Sequence, residues 1–109
     1  MLVTQIRNSQ QVTVLRCYGW LVHGDGADAL RQAVMSQDDS HFAIDLSSVE
    51  AIDAAGLGIL AELENWATAR GGAIQLLNPT ARLLEILKTT GLNSVLEICP
   101  NPPAAREVA

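Results

Sequence analysis

Residues 45–60 of this chain, DLSSVEAIDAAGLGIL, decide its fold. They overlap an apolar run, residues 41–46, that is typical of a buried strand. Asp53 stands just before an apolar segment of helical length, residues 54–70, where its carboxylate can accept hydrogen bonds from the free N–H groups of the first turn. The stretch therefore predicts a buried strand, a loop over residues 47–52 and a helix that Asp53 caps.

Gly56 and Gly58 lie in the first turn of this predicted helix. They weaken the helix intrinsically, but they leave its surface without bulk, so that another backbone or group can approach closely. A phosphate or nucleotide site is one interpretation, because helix N-termini attract anions. The pattern lacks the third glycine of a dinucleotide fingerprint and the Gly-Lys-Ser/Thr of a P-loop. A tightly packed turn from strand to helix is the other interpretation, and the residues alone leave both open.

Strands and helices alternate along the rest of the chain. Asp25 is expected as an acidic or capping residue at the start of the first helix. The predicted order ββαβαβαβ implies at least partly parallel pairing with right-handed crossovers. We therefore expect an α/β fold, with a mixed sheet of four to five strands covered mainly by helices. The further predicted strands span residues 2–7, 11–18, 73–77 and 94–98, and the further predicted helices span residues 27–36 and 81–89.

Composition narrows the function classes. The 109 residues fit one domain, which we place at residues 1–99, followed by a loose tail at residues 100–109 that contains three of the four prolines. The net charge is -5 and the seven basic residues are scattered, which argues against nucleic-acid binding. No signal peptide or membrane-spanning stretch is expected, so we predict a cytoplasmic protein.

The chemistry-bearing side chains do not form a catalytic or metal-binding pattern. Cys17 and Cys99 are expected to be reduced structural thiols. His23 and His41 are far apart and have no nearby ligand at metal spacing. The sequence also lacks the G-x-S-x-G motif of a nucleophile elbow. We expect no catalysis, no cofactor and no metal.

The deciding stretch resembles the signature of STAS domains, the family of bacterial anti-sigma-factor antagonists. In that family a strand ends in an Asp-Leu-Ser-like tripeptide, and a hydrophobic step leads to Asp-Ser-Ser-Gly-Leu-Gly or a close variant and an apolar helix. The resemblance covers roughly residues 3–98 and implies the STAS fold and a protein-binding role. The matching residues are Asp45, Leu46, Ser47, Val49, Ile52, Asp53, Gly56, Leu57, Gly58 and Leu60, then Ala69 to Gly72, and later Asn78, Pro79, Leu84, Leu87, Thr90, Gly91 and Leu92.

Two departures from the family pattern bear on regulation. In phosphoregulated members a Ser or Thr precedes the Gly-Leu-Gly, and a partner kinase phosphorylates it. Here that position is Ala55, preceded by Ala54, so the usual switch chemistry cannot occur there. Phosphorylation displaced to Ser48 is the alternative. The family also often shows Gly-x-Leu-Asp before the first helix, whereas residues 19–22 read GWLV, and Asp25 is the nearest acid.

The resemblance implies a partner and a binding surface. The partner would be an anti-sigma factor with a serine-kinase fold, bound through the loop at residues 47–53 and the start and outer edge of the helix at residues 54–70. The predicted binding residues are Ser47, Ser48, Asp53, Ala54, Ala55, Gly56, Gly58, Ile59, Glu62 and Trp66.

Helical spacing leaves two interpretations of Trp66. Either it packs partly under a neighbouring element, or it forms a partner-facing strip with Ala55, Ile59 and Glu62. Trp20 could belong to the same surface or to a homodimer contact. The inner stripe of the helix is expected to be Leu57, Leu60, Leu63 and Ala67.

Two other functions fit the same residues. Some stand-alone STAS proteins are subunits of lipid-transport ABC machines or of large stress-signalling complexes. A sensor of a nucleotide or another small anion, using the helix N-terminus, is the alternative from a different class.

Overall fold

Five strands and three helices alternate along the chain, in a computed structural model that describes residues 2–9, 12–37 and 40–99. Their order matches the predicted ββαβαβαβ. The elements are β1 (Leu2–Ser9), β2 (Val12–Leu21), α1 (Asp25–Met35), β3 (His41–Ile52), α2 (Ala54–Ala69), β4 (Ala73–Leu77), α3 (Ala81–Thr90), a 3-10 turn (Leu92–Ser94) and β5 (Glu97–Cys99).

The five strands form one mixed sheet in the order β1-β2-β3-β4-β5. β1 pairs with β2 antiparallel, and each later pair is parallel. Each parallel connection carries one helix, as parallel neighbours require. The predicted α/β fold with a mixed sheet is confirmed.

The main core lies between the helices and one face of the sheet. Alternate residues of β3, including Phe42, Ile44 and Leu46, point into it because side chains alternate along a strand. Each helix adds fully or nearly fully buried leucines, among them Leu30, Leu60, Leu63, Leu83 and Leu87. A smaller buried cluster of Val14, Ala43 and Leu77 occupies the opposite face.

The loop predicted over residues 47–52 is wrong, because these residues form the second half of β3. β2 also runs on to Leu21, through Gly19 with a φ of 101°. The extended end of β2 pairs with this half of β3 as far as Leu21 opposite Ile52. Val49 is buried in the core, so backbone pairing and burial both hold the segment as a strand.

The boundaries of the first helix and of the last strand also differ from prediction. α1 begins at Asp25, and its N-cap is Gly24 with no side-chain cap, so Asp25 is not the capping residue. The last strand, predicted over residues 94–98, is observed at Glu97–Cys99. Left-handed Gly91 ends α3, and the 3-10 turn that follows takes up residues 92–94.

The predicted tail at residues 100–109 lies outside the described residues. No helix in the described ranges is both long and apolar enough to cross a membrane.

Candidate functional site at the end of β3 and the start of α2

Asp53 joins two parts of the fold at the start of α2. Its Oδ1 accepts a hydrogen bond from the N–H of Gly56 at 2.9 Å, which confirms it as the helix cap. Its Oδ2 accepts from the N–H of His23, in the connection between β2 and α1, at 3.0 Å. The hydrogen bond from His23, followed by that from Gly56, lowers the pKa of Asp53. The carboxylate therefore stays ionised and holds the connection against α2.

The two glycines of the first turn have different surroundings. A Cβ on Gly56 would lie 2.1 Å from the carbonyl oxygen of Leu21 and 2.8 Å from Cγ1 of Ile52. A Cβ on Gly58 would meet nothing within 4 Å. Gly56 thus allows α2 to pack closely on the end of β2. Gly58 is exposed on the surface of α2, with open space where a side chain would stand. This geometry favours the packed turn over the anion site, since the N–H of Gly56 is already bonded to Asp53.

Asp45 lies where the pairing of β3 with β2 becomes irregular. Its side chain is buried, Oδ1 accepts from the N–H of Ser47 at 2.9 Å, and Oδ2 accepts from Nε of Arg16 at 3.2 Å. The register between β2 and β3 shifts at this level, between Arg16 and Tyr18. Hydrogen bonds to Tyr18 and then to Asp45 raise the pKa of Arg16. The ion pair of Arg16 and Asp45 thus links β2 to β3 just before Ser47.

The predicted binding residues divide by exposure. Four are exposed and four are half-buried, so eight of the ten can take part in a surface. Gly56 and Ile59 are buried, so they offer little surface to a partner. The exposed residues are Ser47, Ala54, Gly58 and Glu62, and the half-buried ones are Ser48, Asp53, Ala55 and Trp66.

The predicted strip along α2 is not a free surface. Ile59 is 2% exposed and belongs to the core. Glu62 binds Arg31 of α1 through two hydrogen bonds of 3.0 and 3.2 Å. Trp66 packs against the core, with its ring centroid 5.9 Å from that of Phe42. The arrangement supports packing of Trp66 under its neighbours, because α1 lies against this side of α2.

Trp20 is an exposed aromatic residue, which the sequence assigned either to the surface of α2 or to a homodimer contact. It is 63% exposed at the end of β2, opposite exposed Ala51 of β3. The apolar residues Cys17 and Leu21, an even number of positions apart, are the sequence signal that could have shown this. If β2 is extended to residue 21, alternation turns Trp20 to the face opposite the core.

Trp20, Ala51, Ala54 and Gly58 lie around the junction of β2, β3 and α2, and we call them the junction surface. Ala51 is the register partner of Trp20, and the carbonyl of the adjoining Leu21 accepts the N–H of Asp53 at 3.4 Å. Within the described ranges, no group of three or more His, Cys, Asp or Glu side chains could hold a metal ion.

Comparison with known proteins identifies the family. Residues 5–97 match the family model described as "Mlab, STAS domain". The chain belongs to the STAS domain family. This confirms the resemblance read from the signature at residues 45–60. No curated protein matches the STAS chain in a search by sequence.

Solved structures share this STAS fold at low sequence identity. One is a putative anti-sigma factor antagonist from Thermotoga maritima, with 22% identity, a TM-score of 0.82, and coverage of 93% of this chain and 89% of that one. An anti-sigma factor antagonist from Mycobacterium paratuberculosis has 23% identity, a TM-score of 0.75, and coverage of 97% and 92%. A sulfate transporter family protein from Wolinella succinogenes has 23% identity, a TM-score of 0.74, and coverage of 84% and 78%.

Proposed function

We propose that this STAS domain is a non-catalytic module of the anti-sigma-factor antagonist kind, and that it binds an anti-sigma factor with a kinase fold. Its likeness to the antagonists from Thermotoga maritima and Mycobacterium paratuberculosis supports the proposal. The observation that carries it is the junction surface, where Trp20 and its register partner Ala51 are exposed at the ends of β2 and β3 and two further small residues are exposed at the start of α2.

The junction surface has the composition of a binding site for another protein. Trp20 offers a large aromatic area with a polar N–H, and such side chains dominate interface energies. Gly58 and Ala54 let a partner backbone approach α2 closely. Exposed Ser47 and half-buried Ser48 supply hydroxyls on the adjoining part of β3.

The proposed complex is insensitive to the kinase activity of its partner. Ala55 occupies the family's phosphoacceptor position, and neither Ala55 nor Ala54 carries an oxygen that could accept a phosphoryl group. The half-buried methyl of Ala55 adds no charge to the start of α2, whether or not ATP is present. The domain would then act as a constant competitor for the anti-sigma factor.

Titration of the full chain with a purified kinase-type anti-sigma factor tests the proposal. Gly58→Arg should weaken the complex by about tenfold or more, because it places a long charged side chain on the junction surface. Thr68→Arg is the matched control, since Thr68 is an exposed residue of the same helix about 15 Å further along. Equal affinities for both variants and the unmodified chain would contradict the proposed surface.

A second candidate function is that of a STAS subunit in a transport assembly. The matching family model is described as "Mlab, STAS domain", and a sulfate transporter family protein shares the fold. Co-purification of the tagged chain with the ATPase subunit of an ABC transporter, lost in Gly58→Arg, would favour this role. Binding of a kinase-type anti-sigma factor with no ATPase subunit recovered would exclude it.

A further inference from the structure

The second half of β3 has a neighbouring strand on one side only. β2 pairs with β3 as far as Ile52, whereas β4 pairs with it only over residues 41–45. β4 stops at Leu77 because Asn78 turns with a φ of 50° and Pro79 has no N–H to donate. Across the described ranges, no strand therefore pairs with the β4 side of β3 over residues 47–52.

This strand edge carries backbone groups that a partner strand could use. The N–H of Asp53 donates to the carbonyl of Leu21, so that position faces β2. Because N–H and C=O groups alternate in direction along a strand, those of Ile52 point to the opposite edge. Glu50 and Ala51, which precede Ile52 on this strand, are exposed. Residues 47–52 contain neither of the residues, lysine and proline, that commonly protect an edge strand.

A groove runs between this edge and α3. Its apolar lining includes buried Leu83 and half-buried Ile52 and Ile86, and exposed Glu50 and Arg82 add opposite charges. The groove encloses about 100 Å³. That is well below the roughly 300 Å³ at which pockets for drug-sized ligands begin. The space suits a single apolar side chain.

We infer that residues 47–52 bind an extended segment of a partner protein, which adds to the free edge of β3 as a short extra strand. One apolar side chain of the segment enters the groove against Ile52 and Ile86. A basic residue faces Glu50 and an acidic residue faces Arg82, which gives the segment its direction. The inference deepens the proposed function and rests on it, since it states how a protein partner is recognised.

Two register shifts limit the length of the added strand. The pairing of β2 with β3 slips between Arg16 and Tyr18 and again between Gly19 and Trp20. Such bulges twist a strand and interrupt regular pairing. The expected segment is therefore only about three to five residues long, and its affinity as an isolated peptide is low.

Synthetic peptides test the strand addition directly. The probes are an acetylated and amidated Lys-Val-Leu-Val-Glu peptide and the same peptide with its two charges exchanged. Amide NMR of the full chain should show shifts in residues 47–52 and the first turns of α3, and slower hydrogen exchange at Ile52, at millimolar peptide. N-methylation at alternate peptide bonds should abolish the shifts, because it removes the donors of the added strand.

Charge exchange on the protein provides the matched control. The unmodified chain should bind one of the two peptides about fivefold better than the other. The double variant Glu50→Lys with Arg82→Glu should reverse this preference. Unchanged binding on N-methylation, or shifts confined to β1, would overturn the inference. Concentration-dependent self-association that Arg82→Glu abolishes would make a second copy of the chain the occupant and would equally overturn it.

The proposed function can survive the failure of this inference. If Gly58→Arg weakens the anti-sigma-factor complex while Arg82→Glu and the peptides leave it unchanged, the junction surface binds the partner without strand addition. If the peptides bind but Gly58→Arg has no effect on the complex, the edge is a peptide site and the junction surface is wrong.

Discussion

At the residue scale, Gly56 and Gly58 stand two positions apart in one helix but differ in the space around them. Gly56 has no room for a methyl group, because the carbonyl of Leu21 fills the space. Gly58 faces open space and contributes only the flexibility of its backbone. The first is needed for the fold, and the second is free to serve a binding surface.

Alanine substitution at each glycine should separate these roles. Gly56→Ala should lower the free energy of unfolding by about 1–3 kcal/mol, because the end of β2 must move to admit the methyl group. Gly58→Ala should raise it by up to about 1 kcal/mol, since alanine is the better helix former. Urea unfolding of both variants measures the difference. A stabilised Gly56→Ala would show that α2 does not rest closely on β2.

At the element scale, the carboxylate of Asp53 links α2 to the connection between β2 and α1. Its folded-state pKa lies below the ordinary value of about 3.8, owing to the N–H groups of His23 and Gly56. A lowered pKa means that the ionised form stabilises the fold. That contribution is complete above the unfolded-state pKa and is lost as the pH falls through the folded-state value.

The stability of Asp53→Ala relative to the unmodified chain should therefore depend on pH. The variant should be less stable by a constant amount from neutral pH to about pH 5, and the gap should narrow below about pH 4. Urea unfolding across this range measures it. Asp53→Asn is the control, because neither variant titrates at this position, so the difference between the two should stay constant. A gap that persists unchanged at about pH 3 would contradict the role of the carboxylate.

The order of elements could be predicted from the sequence, and the length of β3 could not. Apolar periodicity and glycine stops mark α2, and the polar residues at 47, 48 and 50 suggest a loop. The segment is a strand because the end of β2 supplies backbone partners and Val49 supplies burial. Both causes depend on contacts with distant parts of the chain, which a local sequence pattern does not show.

The candidate site was predictable where a single residue acts locally. The capping role of Asp53 followed from its position before α2, and the geometry confirms it. The burial of Ile59 and the engagement of Glu62 by Arg31 depend on α1 packing over α2. Periodicity within α2 cannot show that contact, because it depends on where α1 crosses.

At the scale of the whole molecule, the chain has the STAS scaffold, and we propose that the methyl of Ala55 takes the place of the family's switch hydroxyl. The scaffold brings the ends of β2, β3 and α2 together, so the junction surface persists without the switch chemistry. The domain should therefore bind its partner and remain bound while the partner hydrolyses ATP.

The most direct test is titration of the domain with a kinase-type anti-sigma factor, with and without ATP, beside the variant Ala55→Ser. The unmodified chain should bind equally in both conditions and gain no phosphoryl group by mass spectrometry. Ala55→Ser should be phosphorylated and should dissociate when ATP is present. Loss of the unmodified complex on addition of ATP, or phosphate on Ser48, would contradict the account.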